Sequence, residues 1–327
     1  MSDRPLVFVI DHQIHPAGIE NLKKKFEVKQ FPFDVNEDEL IAQGKECVGM
    51  FARRSSQSKK FFDNMPKLKI VARHGVGYDA VDIKAATENG VIVCANPENS
   101  NTVAEHTMAL MMASVRNIVP ANNALQDGVW DQKPLANASE LMGKTLGIIG
   151  VGRIGSRVAK MAKAFNMTVI AYDPYVQDNR FKELGIKRVA LDDLIAECDV
   201  LTLHCNLTPE TKYVIDEKAF ARMKDGVVIV NCSRGPTVKQ TALLDALKSG
   251  KVRCAALDVT EQEPLPSEND VRGVANLILT PHMAALGAEV AVRSSISGAQ
   301  RVIDELEGRK PNEIINPDAY NHRKNKK

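Results

Sequence analysis

The 327-residue sequence predicts an α/β chain built on two doubly wound parallel sheets. Three observations carry that prediction. Apolar runs alternate with polar or amphipathic stretches from residue 6 to residue 95, the alternation restarts at residue 145, and a glycine-rich turn separates the first strand and first helix of the second series. Strands covered on both faces read as continuous apolar runs, and these do.

In the first series the predicted strands are 6–10, 28–31, 48–52, 68–72 and 91–95, a small domain over residues 1–100. Residues 102–115 read as a long apolar helix rich in Met and Ala. The stretch 117–140, which contains Trp130, has no clear period and reads as a linker and arm. Packing on a second subunit is the economical use of such an arm, with an ordinary surface loop as the alternative. The second series supplies predicted strands at 145–149, 168–172, 200–204, 227–231, 255–258 and 277–279, six runs matching the two halves of a Rossmann sheet. An Ala- and Ser-rich helix at 287–307 follows, placed to cross back to the first domain.

Hydrophobic residues make up 44% of the chain, enough for two cores. A net charge of +2 gives no large single-sign field, so nucleic acid is not expected as a partner. The run 23–25 and the tail 323–327 are basic but read as a solvated helix face and a frayed end. The first apolar run is too short for a signal peptide and no stretch approaches membrane-spanning length, so no membrane partner is expected. Cys47, Cys94, Cys198, Cys205, Cys232 and Cys254 are scattered without a CxxC pair and most lie in or beside apolar runs. That pattern suits small buried hydrophobes in a reducing cytoplasm; neither a metal site nor a disulfide frame is expected.

The chemistry begins at Gly150-Val-Gly152-Arg153-Ile154-Gly155, preceded by the strand Thr145–Ile149 and followed by an amphipathic helix and the strand ending at Asp173. Gly150 permits the tight turn, Gly152 lets backbone approach a pyrophosphate, and Gly155 lets the helix pack closely on the strand. Three spaced glycines alone also fit a ligand-free turn or a methyltransferase, whose pattern is looser; the flanking strand and helix favour a dinucleotide. Asp173, eighteen residues past Gly155, suits a ribose diol and would repel a 2′-phosphate, which favours NAD over NADP.

In open α/β sheets ligands sit beyond the carboxyl ends of the strands. Arg234, Glu263 and His282 follow the fourth, fifth and sixth predicted strands of the second series. A hydride transfer to a carbonyl needs a proton donor, a cation for the carboxylate and a group that tunes the donor, and His, Arg and Glu supply these. Each has a plain structural alternative alone; their joint placement after consecutive strands argues against coincidence.

These residues resemble the D-isomer-specific 2-hydroxyacid dehydrogenase family over nearly the whole chain. The resemblance runs through Arg54-Ser, Arg73-His-Gly75-Val76-Gly77-Tyr-Asp79, Val103-Ala-Glu105-His106-Thr, Glu140-Leu-Met-Gly-Lys144, the glycine motif, Leu207-Thr-Pro-Glu-Thr211, Asn231-Cys-Ser-Arg234-Gly and Pro281-His282. It implies a flavodoxin-like substrate domain (1–100 plus 289–327) and a Rossmann NAD-binding domain (101–288), with the substrate in a cleft that closes by hinge motion. It implies that Arg234 anchors and polarises the 2-keto acid, that His282 is the acid and base, and that Glu263 pairs with His282. Arg153 and Ile154 would cover the pyrophosphate, Asp258 would hold the nicotinamide carboxamide, and Cys205 and Cys232 would line the cofactor cleft. The turn at Val76 and Gly77 would face the substrate carboxylate with backbone N–H groups, and Arg54, with Arg73 a further candidate, would meet its distal end. A homodimer through the 101–142 arm is implied. Asn206 and Met283 depart from the family pattern at positions that touch cofactor packing, and Glu263 argues against the formate dehydrogenase branch, which has glutamine there.

The expected activity is therefore NAD-dependent interconversion of a short 2-keto acid and its D-2-hydroxy acid, in the manner of phosphoglycerate dehydrogenase or hydroxypyruvate and glyoxylate reductases. The alternative is an NADH-sensing corepressor on the same fold; the short polar termini weigh against it and against an added regulatory domain. Replacing Asp173 with Ala is expected to raise the use of NADP relative to NAD, read as the ratio of kcat/KM for the two; an unmoved ratio would refute the ribose assignment.

Overall fold

The structure is a computed structural model that describes residues 4–53, 55–130 and 137–323. The chain forms two compact units, Met1–Asn99 with Ala285–Lys327, and Ser100–Ala284.

The first unit holds β1 (Leu6–Ile10), β2 (Glu27–Phe31), β3 (Cys47–Ala52), β4 (Ile70–Arg73) and β5 (Ile92–Cys94). They form one parallel sheet in the order β2-β1-β3-β4-β5, the flavodoxin-like arrangement. Alternation along each strand decides which core a side chain joins. Phe8 and Ile10 of β1 pack with Leu40 of α2 (Glu37–Gln43), Phe61 and Phe62 of α3 (Lys59–Asp63) and Ala85 and Ala86 of α4 (Ile83–Glu88). Val7 and Val9 face the other way, onto Ile19 and Leu22 of α1 (Pro16–Lys23) and Ala299, Val302 and Ile303 of α12 (Ala288–Leu306). A short α13 (Ala319–His322) closes this unit.

The second unit opens with α5 (Ser100–Val115) and α6 (Ile118–Gln126). Its sheet comprises β6 (Thr145–Ile149), β7 (Thr168–Tyr172), β8 (Lys187–Arg188), β9 (Val200–Leu203), β10 (Val227–Asn231), β11 (Val252–Leu257) and β12 (Leu277–Leu279), all parallel, in the order β12-β11-β10-β9-β6-β7-β8. The helices α7 (Arg153–Ala164), α8 (Asp178–Leu184), α9 (Leu191–Glu197), α10 (Glu217–Arg222) and α11 (Gln240–Ser249) connect the strands. Numbered from β6, this is the Rossmann order extended by a seventh strand, and the chain reverses direction across the sheet between β6 and β9, where such sheets bind ligands.

Two expectations need correction. The sheet has seven strands, not six: β8 is a two-residue strand of exposed cations, with no apolar run to betray it. The stretch 117–140 contains a regular helix, α6, which begins at Asn117 in the left-handed region (φ 51°) and buries none of its residues within one chain.

Candidate active site

Three loops leave the carboxyl ends of β10, β11 and β12, which are neighbours in the sheet. The hydrogen-bond ladder continues past the strands. Asp258 N–H donates to the Asn231 carbonyl (2.9 Å), Thr280 N–H to the Leu257 carbonyl (3.0 Å) and His282 N–H to the Asp258 carbonyl (2.8 Å). Backbone register therefore aligns the loops before any side chain contributes.

The Arg234 loop is organised by Asn231, fully buried at the end of an apolar strand. Its Nδ2 donates to the Arg234 carbonyl (3.0 Å) and to Thr237 Oγ1 (3.2 Å), while its Oδ1 accepts from Ser233 N (3.0 Å) and Ser233 Oγ (2.8 Å). A buried amide satisfied on both ends fixes a single loop conformation. Gly235 then lies against the next loop, with so little room that a Cβ there would stand 1.9 Å from the Thr260 carbonyl oxygen.

That next loop carries Glu263. Thr260 N–H donates to Glu263 Oε1 (3.1 Å), which leaves Oε2 to meet His282 Nδ1 at 2.6 Å. The ring and the carboxylate are both substantially exposed, so the pair faces outward from the sheet edge. Glu261, in the same loop, accepts the N–H of Gln240 at the start of α11 (2.6 Å) and ties the loop to that helix. His282 adopts φ 51°, a left-handed turn held on the Asp258 carbonyl.

Asp258 is almost fully buried. Its Oδ1 accepts from Thr280 Oγ1 (2.5 Å) and Met283 N (2.9 Å), and its Oδ2 from Ala284 N (2.8 Å). Burial pushes its carboxyl group upward, but the hydrogen bonds from His106, Thr280, Ala284 and Met283 outweigh it and hold the group below the ordinary carboxylate range. The residue expected to meet a carboxamide thus also fastens the turn that carries His282. A carboxylate has about four acceptor positions, and one on Oδ2 remains.

At the glycine turn, Gly150 sits at φ 94° and a Cβ there would lie 2.8 Å from the backbone of His204 and Cys205. A Cβ on Gly155 would stand 2.0 Å from the Gly150 carbonyl oxygen, whereas one on Gly152 would meet nothing within 4 Å. The turn is packed shut on the protein side and open on the other. The N-cap of α7 is Gly152, which makes no side-chain cap bond, so the helix begins at the open side of the turn, with Arg153 and Ile154 in its first turn. These features fit a bound pyrophosphate. Asp173 accepts from Val151 N (2.8 Å) through Oδ2 and from Tyr175 N (2.9 Å) and Val176 N (3.2 Å) through Oδ1, so it braces the glycine turn. Cys205 lies half-buried beside Gly150, and burial pushes its thiol up to about 11. Cys232 is buried beside the Thr107 hydroxyl of α5; burial pushes it up to about 12. Neither thiol is a nucleophile at neutral pH.

In the first unit Val76 and Gly77 occupy a half-exposed turn after β4. Arg54 lies outside the described residues. Arg73 is buried, and its guanidinium donates to the carbonyls of Ser55 (3.0 Å) and Arg53 (2.9 Å), clamping the backbone on both sides of position 54.

Residues 108–284 match the model of the D-isomer specific 2-hydroxyacid dehydrogenase, NAD binding domain. The chain belongs to the D-isomer-specific 2-hydroxyacid dehydrogenase family. A D-3-phosphoglycerate dehydrogenase of Methanocaldococcus jannaschii is 38% identical over 311 residues, 94% of this chain and 59% of that protein, so the chain spans well under two thirds of that relative's length. A glyoxylate reductase of Korarchaeum cryptofilum is 35% identical over 97% of both chains. Among solved structures, a glyoxylate reductase from Paecilomyes thermophila superposes with a TM-score of 0.88 at 28% identity, covering 96% of this chain and 99% of its own. Within this 2-hydroxyacid dehydrogenase family member, reading the sequence for reactive groups missed Asn231, Thr280 and Glu261 as organisers of the loops. A polar residue closing an apolar strand was the available signal for Asn231.

Gly235→Ala is expected to destabilise the fold by roughly 1–3 kcal/mol through overpacking against the Thr260 carbonyl, read as a lowered urea midpoint. An unchanged midpoint would mean that the Arg234 and Glu263 loops do not touch.

Proposed function

We propose that this protein is an NAD-dependent oxidoreductase that interconverts a short 2-keto acid and its D-2-hydroxy acid, acting on the CH–OH group. The observation that carries the reading is the 2.6 Å pair of His282 Nδ1 and Glu263 Oε2 at the carboxyl edge of the dinucleotide-binding sheet.

With Nδ1 engaged by the carboxylate, Nε2 is the ring nitrogen left to face substrate. In reduction it gives its proton to the carbonyl oxygen; in oxidation it takes the proton of the hydroxyl. Glu263 orients the ring and offsets the charge that His282 carries when protonated. Arg234, on the adjacent loop, carries a planar fork suited to a carboxylate and the neighbouring carbonyl, and its Nη1 donates to the Ser233 carbonyl (2.7 Å) in this structure. Bound NAD would supply or accept the hydride. Gly150, Gly152, Arg153, Ile154 and Gly155 would hold its pyrophosphate, Asp173 the adenosine ribose and Asp258 the carboxamide, with Cys205 and Cys232 beside them. Val76 and Gly77 are assigned as backbone contacts for the substrate carboxylate, and Arg54 as a contact for its distal end.

The names of the relatives point to glyoxylate, hydroxypyruvate and phosphohydroxypyruvate as the first substrates to try. We assign a homodimer through residues 101–142, because α6 and the residues just after it expose the large apolar side chains of Ile118, Leu125, Val129 and, at 82%, Trp130. Six free thiols suit a reducing cytoplasm. Among the described residues no helix is long and apolar enough to cross a membrane.

Purified protein is expected to oxidise NADH with at least one of these keto acids, and His282→Asn to lower kcat by about 10²–10⁴-fold while NADH still binds. Tight NADH binding without turnover of any keto acid would favour the corepressor-type reading, and a His282→Asn variant of near-normal rate would end the proton-donor assignment. Sedimentation equilibrium is expected to return twice the 35.9 kDa chain mass; a monomer at micromolar concentration would overturn the arm interface.

A further inference from the structure

We propose that His106 is a positioning residue for the His282 turn, acting through Thr280 and the Asp258 carboxylate. The inference rests on the reading of His282 as proton donor given above. His106 lies on α5, far in sequence from the three loops, and its side chain is only 20% exposed.

The hydrogen-bond geometry assigns its protons. His106 Nε2 stands 3.3 Å from Thr280 Oγ1 and 3.5 Å from Asp258 Oδ1. The Thr280 hydroxyl has one proton, and its 2.5 Å approach to Asp258 Oδ1 commits that proton to the carboxylate. Asp258 also accepts the amides of Met283 and Ala284, and these bonds together hold it in its ionised, acceptor-only form. Thr280 Oγ1 therefore has only lone pairs to offer His106, and Nε2 must carry a hydrogen. Three donors converge on the Thr280–Asp258 pair, one from α5 and two from the turn at 282–284.

The consequence is mechanical. Asp258 leaves the sheet at the end of β11, and its two oxygens hold the amides immediately after His282, a residue in a left-handed conformation that needs support from its surroundings. Without the His106 donor the Thr280 hydroxyl keeps its bond to Asp258 but loses the second partner that restrains its rotamer, and the Asp258 carboxylate loses a charge-compensating dipole. The turn then samples orientations in which Nε2 of His282 is misdirected. An N–H at this position does the work; the bulk of the ring does not.

The test uses the full chain with two substitutions. His106→Gln keeps an N–H near the place of Nε2, and His106→Leu keeps the volume without the donor. His106→Leu is expected to lower kcat roughly three- to tenfold, the size of one weak hydrogen bond to a charged network, with KM for the keto acid nearly unchanged. In the cofactor-free protein the same variant is expected to exchange the Met283 and Ala284 amide hydrogens faster by a similar factor. His106→Gln is expected to restore both. The proton-bearing nitrogen is read directly from ¹H–¹⁵N spectra of the ring, the His106 signal being the one lost in His106→Gln.

Equal losses in both variants, no loss in either, or unchanged exchange at 283 and 284 in His106→Leu would overturn the proposal, as would a ring protonated at Nδ1 alone. Should His106→Leu fail to fold, the ring spectrum and the exchange rates of His106→Gln against the native protein decide the matter. If the native protein turns over no keto acid, the dehydrogenase reading fails by itself, and exchange and ring spectra still settle the contact.

Discussion

The parallel ladder of β10, β11 and β12 does not stop where the strands stop, and the rest of the site depends on that continuation. The amides of Asp258, Thr280 and His282 each find a carbonyl on a neighbouring segment, so three loops of different length leave the sheet in a common register. Backbone N–H and C=O groups must be satisfied, and extending the sheet pattern satisfies them while fixing the origin of each loop. Side chains then need only short reach: Asn231 shapes one loop, Asp258 closes the turn of another, and Glu263 meets His282 across the gap between two of them.

The same economy operates at the glycine turn. Asp173 accepts the Val151 amide and thereby holds the segment between Gly150 and Gly152 against the end of β7. A carboxylate so placed stiffens the turn by accepting three backbone amides. Stiffness matters because a helix N-terminus binds an anion well only when its N–H groups are already aligned. The crowding at Gly155 and the open space at Gly152 are the two sides of that alignment.

Much of this was legible in the sequence because it rests on periodicity and on residue types with few alternatives. Four apolar runs marked four strands of the first sheet, the fifth, β2, being a largely polar edge strand; Gly150, Gly152 and Gly155 marked the turn; Arg234, Glu263 and His282 could be placed on one sheet edge by counting strands. The invisible parts share a cause. β8 is two cations long and carries no apolar signal, and α6 buries none of its residues in one chain, so its apolar residues do not mark a core face. Arg73 illustrates a different limit: an arginine that grips carbonyls 53 and 55 looks, as a letter, the same as one that grips a substrate. His106 lies in α5, 176 positions before His282, and nothing in one sequence signals that a hydroxyl and a carboxylate join them.

The two-residue strand β8 has a consequence beyond counting. It forms the outer margin of a seven-stranded sheet, where unpaired backbone groups invite another polypeptide to add on. Here that margin is brief and bears Lys187 and Arg188; the latter lies over the Phe181 ring and is paired with Asp178. An incoming segment would have to strip water from two cations and dislodge that pairing to gain a mere two rungs. This edge of the sheet is in this way guarded against runaway stacking.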